Sequence, residues 1–321
     1  MARSEALSFT AGEATLAGTL LLPDGAGPYP WVVLVASWLP RDRHGGWDRT
    51  RHATWFAEAP HGDPPGLLAR LAEALADRGV ASLRYDKRGC GESEGEWPAN
   101  DLFTLIDDAR DALGALRGRP DLDLRRTGIV GHGEGCGIAL SVAIGDPAVG
   151  ALTLVGASAR SLRDVLRQGV AERARTGVDR EHPVVAAIDR ASEELIERAE
   201  RREVDMVLRI GPELVRLRLA GWEQAIHTPP LALATMLHRS VTLVHGERDA
   251  WSSPEEGRLL TDALGAAGER PGHELIPGAG HDLAEADDAR IGALADDLAA
   301  RLEPRELPPV LLAIEGSRET G

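Results

Sequence analysis

A glycine-rich turn between a predicted strand and a predicted helix constrains this chain more than any other feature. The turn reads G-H-G-E-G-C-G over residues 131–137, after an apolar strand over 127–130 and at the start of a helix over 134–144. Glycine allows positive φ angles and lets a strand and a helix approach closely. The spacing is that of the nucleophile elbow G-x-S-x-G, whose middle residue sits on a strained turn. Gly133 holds that middle position, so this elbow is predicted to carry no hydroxyl.

Apolar strands alternate with helices along most of the chain. This pattern predicts the α/β class and a doubly wound, mostly parallel sheet, in which short apolar strands are buried on both faces. We predict strands over 15–22, 31–36, 80–85, 127–130, 151–155, 241–245 and 273–276, and helices over 66–78, 102–116, 134–144, 254–266 and 284–302.

The alternation breaks over residues 159–238, where the sequence is charged and helical and contains no convincing strand. We therefore predict an α/β core formed by residues 1–158 and 239–303, with residues 159–238 inserted as a helical cap. Residues 304–321 are predicted to be a C-terminal tail, for which the sequence indicates no role.

Two residues that suit acid–base chemistry follow the elbow along the chain. Asp249 lies in the loop after the strand over 241–245, and His281 lies in the glycine-rich loop over 278–282. A carboxylate that orients an imidazole makes it an effective general base or acid. We predict that Asp249 and His281 form a catalytic pair.

Three stretches together resemble the α/β-hydrolase superfamily, and within it the bacterial esterases and acyl-peptidase-like hydrolases. They read S-W-L-P-R-D-R-H over 37–44, Y-D-K-R-G-C-G-E-S over 85–93 and G-H-G-E-G-C-G over 131–137. The resemblance implies an α/β-hydrolase fold with a cap above the site, and a serine nucleophile where this chain has Gly133. It also implies an oxyanion hole formed by the backbone N–H groups of Trp38 and Glu134.

Several large side chains fall in loops that this fold places near the site. Aromatic side chains supply the apolar surface that small-molecule pockets need. We expect a substrate pocket to be lined by His132, Leu39, Trp47, Trp55, Trp97 and Trp251. We interpret Cys136, one turn into the helix after the elbow, as a packing residue.

Composition and charge exclude several classes of function. A net charge of −15 argues against a nucleic-acid surface, and no apolar run is long enough to cross a membrane. Two cysteines cannot form a disulfide framework, so we expect a cytoplasmic protein. We expect no cofactor and no metal, because no metal-ligand spacing occurs among His44, His52, His61, Asp42 and Asp48. The expected partner is an apolar small-molecule substrate, and a homodimer stays open.

These features leave three hypotheses for the function. The first is a non-hydrolytic enzyme of specialised metabolism that uses the Asp249–His281 pair for cyclisation, elimination, isomerisation or C–C bond chemistry on an apolar oxygenated substrate. The second is an ester or amide hydrolase whose nucleophile serine is changed to glycine, and the third is a pseudoenzyme that only binds a ligand. The first hypothesis predicts that substrate fills the space above Gly133.

Overall fold

The structure is a computed structural model that describes residues 1–56, 66–177 and 182–309. The strands in this part of the chain are β1 (Arg3–Ala11), β2 (Ala14–Leu22), β3 (Tyr29–Val35), β4 (Ala81–Tyr85), β5 (Leu122–His132), β6 (Val149–Val155), β7 (Asp205–Ile210), β8 (Glu213–Arg218), β9 (Ser240–Gly246) and β10 (Gly272–Ile276). The α-helices are α1 (Leu67–Ala76), α2 (Leu102–Arg117), α3 (Glu134–Gly145), α4 (Leu162–Thr176), α5 (Pro183–Glu200), α6 (Ala220–His227), α7 (Pro230–Ala234), α8 (Pro254–Ala266) and α9 (Asp288–Arg301).

Eight of the strands form one sheet in the order β1-β2-β4-β3-β5-β6-β9-β10. The pairs β1–β2 and β2–β4 are antiparallel, and all pairs from β4 to β10 are parallel. The central strands are almost wholly buried because α1 and α9 cover one face while α2, α3 and α8 cover the other. This arrangement confirms the predicted α/β class and the mostly parallel sheet.

Parallel pairing brings the C-terminal ends of β3, β5, β6 and β9 to one edge of the sheet. Open α/β sheets bind their ligands at this edge, where the connecting loops converge. Ser37, Gly133 and Asp249 all follow strands that end here. The functional site therefore has to be sought at this edge.

The predicted helices of the core match the structure closely, except at the start of the last one. Helix α9 begins at Asp288, four residues later than predicted, because the Asp287 side chain accepts a hydrogen bond from the Arg290 amide and caps the helix there. Strand β1 was not predicted, since its outer half is exposed and its pattern is weakly apolar. Strand β5 begins five residues before its predicted start.

The segment over residues 159–238, which is predicted to be a helical cap, contains strands. Strands β7 and β8 form an antiparallel hairpin that is separate from the main sheet. Met206, Leu208 and Ile210 are buried while Val207 between them is exposed, which is the period-two pattern of a strand. The expectation that residues 159–238 hold no strand is therefore wrong, because a short alternating run was taken for part of a charged helix.

Helices α4 to α6 pack with this hairpin and with loops of the core into a third apolar cluster, whereas α7 packs with the sheet core through Ala234. The cluster contains Trp47, Trp97 and Trp222, which bring it against the edge of the sheet where β3 and β5 end. Of the predicted tail over 304–321, residues 310–321 lie outside the described residues, and Leu307 packs into the core. No helix among the described residues is both long and apolar enough to span a bilayer.

Candidate active site

The turn over residues 131–135, hereafter the elbow turn, joins strand β5 to helix α3. Gly133 has φ 55° and ψ −116°, a conformation that favours glycine. Its amide donates to the Val155 carbonyl at 2.8 Å, and its carbonyl accepts from the Cys136 amide at 3.0 Å. Gly135 packs so closely on the Val35 carbonyl that a Cβ would overlap it. The elbow turn thus has the strained backbone that the sequence predicted, and it lies directly beside the end of β3.

Asp249 and His281, predicted as a pair, are hydrogen-bonded to each other. Asp249 Oδ2 lies 2.8 Å from His281 Nδ1, and Asp249 Oδ1 accepts the amides of Trp251 and Ser252 at 2.8 Å each. Both side chains are buried. Burial by itself lowers the pKa of His281, but the charge and hydrogen bond of Asp249 raise it above the ordinary imidazole value. The arrangement orients the ring and leaves Nε2 facing the elbow turn.

A serine from a different loop meets the other side of the His281 ring. Ser37 begins the segment over residues 37–39, hereafter the β3 loop, which follows strand β3. Its Oγ lies 3.2 Å from His281 Nε2. A Cβ built on Gly133 would overlap this Oγ and lie 2.8 Å from His281 Nε2. The prediction that substrate fills the space above Gly133 is therefore wrong, because the Ser37 side chain occupies it.

A buried lysine ties the β3 loop to the start of helix α3. Lys87 Nζ donates to the Ser37 carbonyl at 2.6 Å and to Glu134 Oε2 at 3.0 Å. The next turn of the loop is strained, since Leu39 has φ 65° and is fully buried. Trp38 and Glu134, predicted as oxyanion donors, follow Ser37 and Gly133 along the chain. As the first residue of α3, Glu134 has an amide without an acceptor inside the helix.

A cavity of about 470 Å³ opens above these residues, between the sheet edge and the inserted segment. Ser37, Gly133 and His281 lie at its floor, and most of its exposed surface is apolar. Of the predicted pocket residues, the ones that line it are Leu39, Trp47, Trp97 and Trp251. Trp38, which was predicted only for its backbone, also lines it with a side chain packed edge-on against Trp222 and Trp251 at ring distances of 5.1 and 5.8 Å.

Two predicted pocket residues do not line the cavity. His132 is fully buried beneath the site, where its ring packs 4.7 Å from the His281 ring and its Nε2 lies 3.1 Å from the His281 carbonyl. Trp55 packs edge-on against Trp97, and its Nε1 donates to Glu213 at 2.9 Å. The His132 side chain is enclosed by its contacts with His281 and Asp282, so none of it reaches the cavity.

The structure adds two site residues that sequence reasoning missed. Trp222 of helix α6 lines the cavity, but nothing in its local sequence separates it from an ordinary helical core residue. Ser37 enters the sequence analysis only as the first residue of the stretch over 37–44. The sequence contains both the glycine at the elbow position and the serine after β3. Nothing in the sequence links these two residues, and only the folded chain shows that they are in contact.

One group of residues outside the cavity has atoms that suit a metal. The donor atoms of Asp48, His52 and Cys90 lie within 4.8 Å of one another. Asp48 Oδ2 accepts the Gly91 amide, and burial raises the pKa of the Cys90 thiol to about 12, which disfavours the thiolate that a metal would need. Asp48 and His52 are thus hydrogen-bonded within the chain, His52 Nε2 lying 2.9 Å from the Gly89 carbonyl. His61 lies outside the described residues.

Comparison with protein families identifies one match that covers most of the chain. The family described as "Serine aminopeptidase, S33" matches residues 61–288. This range includes the elbow turn, Asp249 and His281, whereas the β3 loop lies before it.

A curated relative and two solved structures are similar to this chain. Esterase EstD of Thermotoga maritima is 28% identical over 151 residues, which are 47% of this chain. The chain spans only 32% of the length of that relative. Est1E from Butyrivibrio proteoclasticus superposes with a TM-score of 0.63 at 14% identity, over 92% of this chain and 99% of that one. The acylaminoacyl peptidase of Pyrococcus horikoshii gives 0.62 at 13% identity, over 98% and 44%. At these identities the structural matches establish the fold alone.

Proposed function

Because this chain belongs to the serine aminopeptidase S33 family of α/β hydrolases, we propose that it hydrolyses carboxylic esters that carry a sizeable apolar group. One observation carries the proposal: His281, held by Asp249 at 2.8 Å, turns its free Nε2 toward a hydroxyl at the floor of an apolar cavity. The relative from Thermotoga maritima is named an esterase, which supports the same class of reaction.

The reaction follows from what each group is able to do. His281 accepts the proton of an attacking hydroxyl, and the bond between that oxygen and the acyl carbon forms. The amides of Trp38 and Glu134 stabilise the negative charge that develops on the carbonyl oxygen. His281 then gives its proton to the departing alkoxide, so that ester and water become acid and alcohol. Asp249 stabilises the imidazolium between these two transfers.

The charges that line the cavity favour an ester over a peptide with a free amino terminus. An aminopeptidase needs a carboxylate to bind the α-ammonium group of its substrate. The acidic side chains that line this cavity are Asp101 and Glu134. Asp101 caps helix α2 by accepting the Thr104 amide, and Glu134 is paired with Lys87. Neither of these two carboxylates, the acidic groups that line the cavity in the described part of the chain, is therefore available to bind the α-ammonium group.

The size of the cavity indicates which esters to test. A volume of about 470 Å³ accommodates a ligand of drug-like size, and five tryptophans line it: Trp38, Trp47, Trp97, Trp222 and Trp251. Such a wall binds aromatic rings and long acyl chains better than acetate. We expect kcat/KM to rise with acyl length, and to be higher for arylacyl than for acetyl esters.

The experiment measures hydrolysis of a series of p-nitrophenyl esters, from acetate to decanoate and with arylacyl groups, by the purified protein and by His281→Ala. We expect His281→Ala to lower kcat by about 10³-fold or more, because it removes both proton transfers. The matched control is His273→Ala in strand β10, which is expected to leave kcat unchanged because His273 does not line the cavity.

Two results would contradict the ester proposal. The first is that no ester of the series is hydrolysed faster by the purified protein than by His281→Ala while both variants remain folded by circular dichroism. The second is equal loss of activity in His273→Ala. The first result would instead favour the other hypothesis from the sequence, in which Asp249 and His281 perform acid–base chemistry without acyl transfer.

A further inference from the structure

The serine that lies beside the catalytic histidine is in the β3 loop and not in the elbow turn. We propose that Ser37 is the nucleophile of this enzyme, so that the hydroxyl that attacks the acyl carbon comes from the strand next to the one that usually supplies it. The inference rests on the proposed ester hydrolysis for its substrate. It rests on geometry for the identity of the residue.

The order of atoms across the site is that of a catalytic triad. Asp249 Oδ2 lies 2.8 Å from His281 Nδ1, and Ser37 Oγ lies 3.2 Å from Nε2 on the opposite side of the ring. In a triad the base lies within hydrogen-bond reach of the nucleophile and a third group orients the base, and this distance suits a site without substrate. Ser37 itself is nearly buried and lies at the floor of the cavity, where a bound acyl group would meet it.

Because Gly133 has no side chain, Ser37 can occupy its position beside His281. A Cβ at this position would overlap Ser37 Oγ and would lie 2.8 Å from His281 Nε2. The Ser37 hydroxyl therefore stands close to where a serine in the elbow turn would present its own. A side chain at residue 133 and the present position of Ser37 exclude each other. Glycine at one place and serine at the other form a matched pair.

The groups that would stabilise the oxyanion suit a nucleophile at either position. In the elbow motif, one donor is the amide that follows the nucleophile, and the other comes from the loop after β3. Trp38 follows Ser37, and Glu134 follows Gly133 at the start of helix α3. Lys87 holds the two segments together through the Ser37 carbonyl and the Glu134 carboxylate. Moving the hydroxyl from one segment to the other thus keeps both amides in use.

Other nucleophilic side chains near the site are engaged elsewhere. The Cys136 thiol donates to the carbonyls of Gly131 and Val155 at 3.2 and 3.3 Å, and burial raises its pKa. Ser158 donates to Ser252 Oγ, which in turn donates to the Ala157 carbonyl. Among the described serines and cysteines, Ser37 is the one whose hydrogen bond reaches His281.

The reaction needs no reactant besides the ester and water. Ser37 Oγ bonds to the acyl carbon while His281 accepts its proton, and the bond from that carbon to the alcohol oxygen breaks as His281 returns the proton to the alkoxide. Water then attacks the Ser37 ester with His281 as base. The products are the acid and free Ser37.

A fluorophosphonate probe tests the proposal, because it phosphonylates an activated serine without being a substrate. We expect the intact protein to gain one phosphonyl group, located on Ser37 by peptide mass spectrometry. Ser37→Ala is expected to lose the adduct and to lower kcat for the best p-nitrophenyl ester by about 10³-fold. The matched control is Ser82→Ala, a serine fully buried in strand β4 outside the cavity, which should keep both adduct and activity.

The exchange variant Ser37→Gly/Gly133→Ser guards against a trivial loss of folding in Ser37→Ala. It returns the hydroxyl to the elbow turn, so the adduct is expected to move to residue 133 and part of the activity to return. An adduct on another residue, or no adduct on the intact protein, overturns the proposal. So does an active Ser37→Ala variant, which would mean direct attack by water and would leave ester hydrolysis standing. Labelling of Ser37 without hydrolysis of any ester supports the nucleophile and counts against the ester as substrate.

Discussion

The elbow turn and the β3 loop lie side by side at His281 Nε2 and contribute different things. The elbow turn has the strained backbone and the helix start, with Gly133 at φ 55° and no side chain. The β3 loop has a serine whose Oγ lies 3.2 Å from His281 Nε2. The comparison shows that a hydroxyl can lie beside the His281 imidazole without coming from the elbow turn. The chain segment that supplies each atom can differ as long as neighbouring strands end at the same sheet edge.

Gly133→Ala is expected to have the largest effect, because it tests whether the elbow turn and the β3 loop compete for the same space. The added Cβ overlaps Ser37 Oγ and displaces it from His281. Because a shift of about 1 Å in a reacting group costs about 10²-fold in rate, we expect kcat/KM for ester hydrolysis to fall at least that much. Steady-state kinetics with the best ester of the series measures this loss.

The matched control is Gly12→Ala in the turn between β1 and β2. Gly12 has φ 58°, nearly that of Gly133, but a Cβ there meets no atom within 4 Å. Both variants place alanine at a positive φ, which L side chains rarely adopt, but only Gly133→Ala also meets the serine. Equal activity in the two variants would show that the elbow turn and the β3 loop do not compete for the same space.

A smaller effect is expected from changing Lys87, which is hydrogen-bonded to both the β3 loop and the elbow turn. Lys87→Met removes the hydrogen bonds to the Ser37 carbonyl and to Glu134 while keeping a side chain of similar length. We expect kcat to fall about tenfold with KM nearly unchanged, because the lysine positions Ser37 and touches no substrate. The rate of phosphonylation by the fluorophosphonate probe should fall by the same factor.

Arg78→Met is the control for loss of a cation. Arg78 pairs with Asp296 on the surface, far from the cavity, and such pairs contribute little to stability. Its kinetics and phosphonylation rate are expected to match those of the unchanged protein. If Lys87→Met changes KM and leaves kcat unchanged, the lysine acts on substrate binding instead.

The smallest effect concerns stability beneath the elbow turn. Burial, together with the nearby charges of His281 and Arg41, lowers the pKa of His132 to about 3 despite the opposing charge of Asp282. The unfolded chain binds a proton at this histidine below pH 6.5, whereas the folded protein does not, so stability falls as the pH falls. Between pH 7 and 5 this contributes about 2 kcal/mol to the loss in free energy of unfolding.

Urea unfolding at several pH values measures this contribution. His132→Gln keeps a donor near the His281 carbonyl but does not titrate, so its stability should depend on pH less steeply by about 2 kcal/mol over that range. His238→Gln is the control, since His238 is an exposed histidine. Identical pH dependence in His132→Gln and the unchanged protein would mean that His132 is not held neutral.

The parallel strands, the core helices, the elbow turn and the positions of Asp249 and His281 could be predicted from the sequence. Apolar period and glycine spacing are local signals, and chain order placed the acid and the histidine after strands that end together. Local sequence patterns failed to predict features that depend on contacts with residues distant in the chain. Strand β1 and the β7–β8 hairpin have weak patterns of their own, and His132 and Trp55 needed a direction that only packing provides.

Tertiary structure alone decided what stands above Gly133. Ser37 and His281 are 244 residues apart in the chain, and no motif links them. They meet because the loops after β3 and β10 both leave the C-terminal ends of strands in one parallel sheet. Ser37 also meets Gly133, because β3 and β5 are parallel neighbours and Gly135 lets helix α3 begin against the Val35 carbonyl. From the sequence, a glycine at the elbow predicts a missing hydroxyl. In the folded chain the same glycine makes room for a hydroxyl from the next strand, because a volume left free by one side chain in a packed interior is available to its neighbour in space.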